Sequence, residues 1–169
     1  MPHVLIAGAT MQGKTSLAVE LARGAVRSGF EPIVLDPLLD PRWPTAHVYD
    51  DPERFLAVVE ASRRCALFVD ESGEMVGRYS DTMNRLATRY RHLGHRSHFS
   101  VQHAPDLALT VREQCAHLFA FRMGPRGARR LAEDWICPQL EEELPRLQPL
   151  TCLYVRRSGE FSIVRVKPA

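Results

Sequence analysis

Short apolar runs alternate along this chain with segments in which apolar residues recur every three or four positions. The runs are typical of strands buried on both faces of a parallel sheet, and they lie at residues 3–7, 32–36, 65–69, 97–102 and 117–121. The segments with helical spacing lie at residues 16–29, 51–63, 81–92, 106–114 and 124–135. Near the C-terminus, residues 152–155 and 161–166 flank a polar turn and are predicted to form a β-hairpin. The alternation predicts an α/β fold with a mostly parallel central sheet flanked by helices.

The composition is that of a globular domain. The chain has 169 residues, of which 45% are hydrophobic and 25% charged, and this length suits one domain with a substantial core. The net charge of +2 excludes a generally basic surface, so any contact with nucleic acid must come from a local patch. No leader pattern is present and no apolar stretch approaches about 18 residues, so we expect a cytoplasmic protein without a membrane span.

Two groups of potential metal ligands or redox groups are interpreted as structural. Scattered cysteines without a C-x-x-C pair predict buried free thiols in a reducing compartment, and here they are Cys65, Cys115, Cys137 and Cys152. Four histidines lie close together in sequence, namely His92, His95, His98 and His103. Because His92 and His95 flank Gly94 at a predicted helix end whereas His98 lies on a strand, no shared metal site is predicted.

The most specific motif follows the first apolar run. Residues 8–15 read G-A-T-M-Q-G-K-T and match the phosphate-binding loop G-x-x-x-x-G-K-[ST]. Such a loop surrounds the phosphates of a nucleotide with backbone amides, between a strand and the N-terminus of a helix. Lys14 is expected to contact the β- and γ-phosphates, and Thr15 is expected to bind Mg²⁺. The predicted nucleotide-binding residues are Gly8, Ala9, Thr10, Met11, Gln12, Gly13, Lys14, Thr15 and Ser16.

A pair of carboxylates ends the third apolar run. Asp70 is expected at the carboxyl edge of the sheet, beside the phosphate loop, where it would bind Mg²⁺. Glu71 lies one position further along the chain and can polarise a water molecule for attack on the γ-phosphate. The pair therefore favours hydrolysis over transfer of the phosphate to another acceptor.

Further catalytic candidates surround the fourth apolar run. Gln102 ends this run and is expected at the same edge, where an amide can orient the attacking water or sense the γ-phosphate. Arg91 and Arg96, and after them Arg89, are candidates for an arginine that acts across a subunit boundary.

Four stretches, taken in order, resemble the HerA/FtsK superfamily of P-loop ATPases. They are G-A-T-M-Q-G-K-T at 8–15, L-F-V-D-E at 67–71, R-Y-R-H-L-G-H-R-S-H-F-S-V-Q-H-A-P-D-L at 89–107, and V-R-E-Q-C-A-H-L-F-A-F-R at 111–122. The chain is most similar to the small viral genome-packaging ATPases, with the filamentous-phage assembly ATPases nearby. The resemblance covers nearly the whole chain and implies a RecA-like core.

The resemblance also implies partners. It implies ATP and Mg²⁺ as ligands, self-association into a ring (usually a hexamer), and movement of double-stranded DNA through the pore. The sequence shows neither an N-terminal anchoring domain nor a C-terminal transmembrane helix, and this favours packaging into a capsid over extrusion of filamentous phage. A capsid or portal vertex protein is then an expected partner. DNA contacts are predicted on the basic helix or in the loop after Glu71, at Arg126, Arg129 and Arg130 or at Arg78 and Tyr79.

Two other functions are compatible with the phosphate loop. A small nucleotide or nucleoside kinase would use residues 36–50 as an acceptor site, although Asp70-Glu71 followed by Gln102 argues against it. A nucleotide-gated assembly module would change conformation without coupling hydrolysis to DNA. Stimulation of ATP consumption by nucleosides would indicate the kinase, and slow DNA-independent hydrolysis would indicate the module.

Overall fold

An eight-stranded sheet forms the centre of the structure, a computed structural model that describes residues 3–70, 79–104 and 107–167. Its strands are β1 (His3–Ala7), β2 (Pro32–Leu35), β3 (Val48–Tyr49), β4 (Ala66–Asp70), β5 (Arg96–Val101), β6 (Cys115–Phe121), β7 (Thr151–Arg156) and β8 (Phe161–Arg165). Their spatial order is β3-β2-β4-β5-β1-β6-β7-β8. The strands β1 to β6 pair in parallel, whereas β7 and β8 pair antiparallel. The predicted mostly parallel sheet and C-terminal hairpin are confirmed.

Helices cover both faces of this sheet. They are α1 (Lys14–Arg27), α2 (Pro52–Ala61), α3 (Ser80–Thr88), α4 (Leu109–Gln114), α5 (Pro125–Trp135) and α6 (Gln139–Glu143), with 3-10 turns at Arg91–Leu93 and Leu144–Arg146. Successive residues of β1 pack on opposite faces, as the pleat of a strand requires. Ile6 packs with α1, whereas Leu5 and Ala7 belong to the core that contains α2, α3 and α5. Both faces of the strand are therefore buried, which explains its uninterrupted apolar run.

Several elements differ from the sequence prediction. The strand β3 has two residues, too few to produce a periodic pattern, and was predicted as loop. The helix α6 was also not predicted; it is only five residues long and follows Pro138. The helix α3 ends at Thr88 rather than near residue 92, because the chain tightens there into the 3-10 turn and then passes through Gly94 with a φ of 77°.

The carboxyl ends of the parallel strands meet at one edge of the sheet. Ala7 pairs with Val101, and Asp70 pairs with Ser100, so that β1, β4 and β5 end side by side. The strand β7 runs in the opposite direction and begins at this same edge, where Cys152 faces Phe121. The edge therefore carries the phosphate loop, Asp70, Gln102 and the segment that precedes β7.

The cysteines and histidines have local roles. All four cysteines are free and buried, as predicted. His95 accepts a hydrogen bond from the Cys65 amide (3.1 Å), and burial lowers the pKa of this imidazole. His98 stacks on Phe68 with 4.2 Å between ring centroids. Within the described residues, no three His, Cys, Asp or Glu side chains are grouped to hold a metal ion. No helix in those same ranges has the length and apolar character to cross a membrane.

Candidate nucleotide-binding site

The phosphate loop connects β1 to α1 and is fixed to the neighbouring strands by its backbone. The Gly8 amide donates to the Val101 carbonyl (3.3 Å), and the Ala9 amide donates to the Arg122 carbonyl (3.0 Å). The loop then turns through Gly13, whose φ of 108° lies in the left-handed region that favours glycine. The next residue, Lys14, begins α1. Because the amides at this helix end have no partner within the helix, the loop offers donors to a phosphate.

Gly8 and Gly13 are required by close packing as well as by backbone conformation. A Cβ atom on Gly8 would lie 2.6 Å from Phe121 Cβ and 3.1 Å from Phe121 Cα, and its φ is 151°. A Cβ atom on Gly13 would lie 2.8 Å from Leu150 Cδ2, the flexible end of a side chain. The contact at Gly8 is with the rigid β6, so this position tolerates a side chain least.

We expect Gly8→Ala to lower the free energy of unfolding by about 3 kcal/mol, because the new Cβ would displace β6 and strain the loop. Chemical denaturation measures this change. Gly24→Ala is the matched control: it lies inside α1, where a Cβ has only an ordinary contact of 3.7 Å with Arg27, and it should stabilise the protein by about 0.5–1 kcal/mol. Equal stability of the two variants would contradict the prediction.

The side chain of Lys14 folds back against the phosphate loop. Its side chain is buried, with 6% of the residue exposed, and its Nζ donates to the Ala9 carbonyl at 2.9 Å. Burial lowers the pKa of this ammonium group, while the charge of Asp70 opposes that shift. The lysine therefore lies within the loop, next to the amides that would hold phosphate.

Thr15 and Asp70 lie together at the N-terminus of α1. The Thr15 hydroxyl donates to Asp70 Oδ2 at 2.7 Å. Burial raises the pKa of the Asp70 carboxyl, and the Thr15 hydrogen bond partly offsets this effect. The second oxygen, Oδ1, is buried; the Ser100 hydroxyl is near enough to lower the pKa of the carboxyl, but it forms no hydrogen bond of normal geometry with this oxygen. A hydroxyl and a buried carboxylate oxygen are hard ligands suited to Mg²⁺ or to its coordinated water, so these two residues fit the predicted metal site.

A cleft of about 450 Å³ opens over these residues, within the range of small-molecule sites. Its lining residues in the described ranges are Thr10, Met11, Gly13, Lys14, Thr15, Ser16, Arg42, Gln102, Pro149 and Leu150. The structure thus brings Gln102, which follows β5 directly, together with the phosphate loop. Its role in orienting water stays a prediction.

The cleft also contains residues that the sequence analysis missed. Arg42 comes from the loop after β2, which was considered only as the acceptor site of a kinase. Leu150 covers the phosphate loop from the other side: its amide donates to the Gln12 carbonyl (2.9 Å), and it has a φ of 60°. One signal for Arg42 was available, since the strand before it ends in Asp36 at the same edge of the sheet.

Among the described side chains of the predicted site, that of Arg96 is not brought to this cleft. Arg96 begins β5 at the opposite edge, with its guanidinium 4.1 Å from the centre of the Phe30 ring. The backbone of Arg91 lies in the 3-10 turn that precedes that edge, and its side chain is outside the described part of the structure. Glu71 and Arg78 lie outside the described residues altogether.

The arginines of α5 form a separate exposed group. Arg129 donates to Glu141 at 2.9 Å, and Arg130 lies 3.9 Å from Glu133. Arg126 lines the same shallow cleft as these two residues. Tyr79, the other predicted DNA contact in the described part, is fully buried, and its hydroxyl donates to the Asp50 carbonyl. Tyr79 is therefore a core residue in this structure, and its prediction as a DNA contact is wrong for this conformation.

Comparisons with known proteins identify the fold. No protein-family model matches the chain, and no curated protein matches it. The structure is similar to the genome packaging NTPase B204 of Sulfolobus turreted icosahedral virus 2, solved with AMPPCP, with a TM-score of 0.74 and 17% identity over 99% of this chain and 98% of that one. Another similar structure is the pCW3 conjugation coupling protein TcpA, with a TM-score of 0.70 and 13% identity over 97% of this chain and 59% of that one.

A third similar structure is the cytoplasmic domain of the type VII secretion ATPase EccC of Thermomonospora curvata. Its TM-score is 0.68 at 15% identity, over 98% of this chain and 25% of that one. At these identities the similarity establishes the fold. The chain therefore has the P-loop NTPase fold that it shares with these three structures, as its sequence motifs predicted.

Proposed function

We propose that this protein is an ATPase that uses hydrolysis to move double-stranded DNA, and that it packages viral DNA into a capsid. The observation that carries the ATPase proposal is the cleft in which Lys14, the Thr15–Asp70 pair and Gln102 meet at one sheet edge. The DNA proposal is supported by the similarity in fold to a genome packaging NTPase over almost the full length of both chains.

Each residue has a distinct part in the proposed reaction. The loop amides and Lys14 bind the phosphates, and Thr15 with Asp70 would hold Mg²⁺, which when bound neutralises phosphate charge. Gln102 orients the attacking water, and Glu71 accepts its proton. The carboxylate of Asp70 does not need to accept that proton.

The position of Arg96 bears on how the site is completed. Because this residue lies at the sheet edge opposite to the phosphate loop, it is unsuited to act on the nucleotide of its own subunit. We propose that Arg96 or Arg91 reaches the nucleotide of a neighbour in a ring, most simply a hexamer. Such an arginine stabilises charge that develops on the phosphates during transfer.

The arginines of α5 are the proposed contacts with DNA phosphates. Their ion pairs with Glu133 and Glu141 are well exposed to solvent, so each contributes little and can be exchanged for a phosphate. Contacts of this kind hold DNA without reading its sequence, which suits a packaging motor. A capsid or portal vertex protein in the host cytoplasm is the proposed docking partner.

Consumption of ATP tests the proposal, with ADP and inorganic phosphate determined separately. It should be measured over a range of protein concentrations with ATP alone, with ATP and double-stranded DNA, and with ATP and nucleosides. We expect stimulation by DNA and a steep rise of specific activity with concentration, because the site is completed between subunits. ADP formation that is stimulated by nucleosides but not by DNA, with the γ-phosphoryl group transferred to the nucleoside instead of released as inorganic phosphate, would overturn the motor proposal and indicate the kinase. Slow hydrolysis that is insensitive to DNA, with nucleotide-dependent oligomerisation, would indicate the assembly module.

We expect Glu71→Gln to lower turnover by about 100-fold or more, because the amide cannot accept a proton from water. Binding of ATP should be retained, since phosphate contacts are made by the loop. Single-turnover hydrolysis and nucleotide titration measure the two effects separately. Glu74→Gln, an identical substitution three residues further along, is the control; if both variants turn over ATP like the wild type, Glu71 is not the base.

A further inference from the structure

Arg42 lies at the nucleotide cleft although it is distant from the phosphate loop in sequence. Its Nη1 donates to the Ser16 hydroxyl at 3.3 Å, and the residue lines the cleft together with Lys14 and Thr15. Ser16 is in the first turn of α1, where the helix amides point towards a bound phosphate. The guanidinium is therefore on the same side of the cleft as the predicted phosphate and metal ligands.

A buried carboxylate gives the loop that carries Arg42 its shape. Asp36, at the end of β2, accepts hydrogen bonds from the Leu38 amide (2.9 Å), the Asp40 amide (3.0 Å) and the Trp43 indole (2.9 Å). Trp43 is in turn buried against Phe68 of β4, with 5.5 Å between the ring centroids. The residues on both sides of Arg42 are thus anchored to the sheet, which fixes where the guanidinium can reach.

The guanidinium of Arg42 forms an ion pair with the Asp40 carboxylate. Arg42 Nε lies 2.9 Å from Oδ1, and Nη2 lies 2.6 Å from Oδ2 of this carboxylate, which is the bidentate geometry that arginine also uses with phosphate. The pair is partly exposed, with 36% of the Arg42 side chain and 18% of the Asp40 side chain accessible. A phosphate group accepts the same two hydrogen bonds and carries more negative charge than a carboxylate, so it can replace Asp40 at this partly exposed guanidinium.

In the described cleft, each of the two cationic side chains donates to an acceptor group of the protein itself. Lys14 donates to the Ala9 carbonyl and Arg42 to the Asp40 carboxylate, and both acceptors are protein groups that a phosphate can replace. Asp70 adds a buried acidic group nearby. A bound triphosphate brings more negative charge than Lys14 alone can neutralise, and Arg42 is the second cation within the described lining.

We propose that Arg42 is a phosphate-binding residue of its own subunit's site, and that Asp40 holds its guanidinium in place until nucleotide binds. This inference rests on the proposed function, since it adds a residue to the same nucleotide site. It differs from an arginine supplied by a neighbour, because its contact with Ser16 lies within one chain.

Equilibrium binding of MgATP and MgADP to the full chain tests the proposal. We expect Arg42→Ala to weaken the binding of at least MgATP by about 10- to 100-fold, the effect of losing a charged hydrogen bond. Arg42→Lys should retain part of the affinity, since it keeps the charge but not the bidentate geometry. Arg54→Ala on α2, which removes an exposed arginine away from the cleft, is the matched control and should bind like the wild type.

Asp40→Asn separates phosphate binding from loop structure. The Arg42 amide donates to Asp40 Oδ1 at 2.9 Å, and an asparagine can keep this hydrogen bond while losing the charge that competes for the guanidinium. We expect its affinity for MgATP to equal or exceed that of the wild type. Equal losses in Asp40→Asn and Arg42→Ala would mean that the pair only shapes the loop and would overturn the proposal, as would unchanged binding by Arg42→Ala.

The wild-type titration keeps this inference separate from the proposed function. If the wild-type protein binds neither nucleotide, the ATPase proposal itself fails. If the wild type binds MgATP and Lys14→Ala does not, the nucleotide site is established, and the Arg42 variants then decide the role of Arg42 alone.

Discussion

ATP turnover by the Lys14→Ala variant is expected to fall at least about 1,000-fold in kcat/KM, the largest loss among the substitutions considered for this site. The ammonium group lies within the phosphate loop, 2.9 Å from the Ala9 carbonyl, and its burial lowers its pKa. A phosphate would restore a strong partner to this desolvated cation, and charge that develops in the transition state strengthens the contact further. Removing the lysine therefore removes both binding and rate acceleration.

The fold should survive this substitution. Ala9 is exposed, so water can bond to its carbonyl once the lysine is removed. We expect the free energy of unfolding of the nucleotide-free protein to change by less than about 1 kcal/mol, which denaturant titration measures. Lys167→Ala is an exact chemical match, because the chain contains only these two lysines and Lys167 is exposed beyond β8. Equal turnover by the two variants would show that Lys14 has no special role.

Local sequence patterns were sufficient for the parts of the site that belong to single elements. The run at residues 3–7 is β1 with the predicted bounds, because a strand buried on both faces must be apolar throughout. The glycines of the loop follow from conformation: Gly13 has a positive φ, and Gly8 touches β6. Placing Asp70 and Gln102 at one edge required only the rule that parallel strands end together.

The missed residues depend on contacts that no local pattern encodes. Arg42 reaches Ser16 across 26 positions of sequence, and it does so because Asp36 and Trp43 fix an irregular loop. Leu150 meets Gln12 only because the antiparallel β7 begins where β6 ends. Tyr79 was predicted as a DNA contact in the loop after Glu71, yet its ring is buried and its hydroxyl donates a hydrogen bond to the Asp50 carbonyl.

The second large effect is expected for Asp70→Asn, which should lower Mg²⁺-dependent turnover about 1,000-fold without destabilising the nucleotide-free protein. Burial raises the pKa of this carboxyl, so the charged form is held at a cost in folding free energy. The side-chain amide oxygen of the new asparagine can still accept the hydrogen bond from the Thr15 hydroxyl. The new NH₂ group can donate to the hydroxyl of Ser100, the residue paired with position 70 on β5, which already interacts with the Asp70 carboxylate. We expect the free energy of unfolding to stay equal or rise by about 1 kcal/mol.

Asp36→Asn is the comparison variant. It makes the same chemical change in a carboxylate that is equally buried but accepts hydrogen bonds with both of its oxygens. Asp36 accepts from two backbone amides and the Trp43 indole, so an NH₂ group there would face donors. This variant should lose about 2 kcal/mol of stability. Denaturant unfolding compares the two variants, and ATP titration with and without Mg²⁺ shows whether Asp70→Asn has lost the gain in affinity that Mg²⁺ gives the wild type. A loss of stability in Asp70→Asn as large as that in Asp36→Asn would mean that Asp70 is a structural carboxylate. If Asp70→Asn raises the free energy of unfolding while Asp36→Asn lowers it, the charge of Asp70 destabilises the fold and is retained for metal binding.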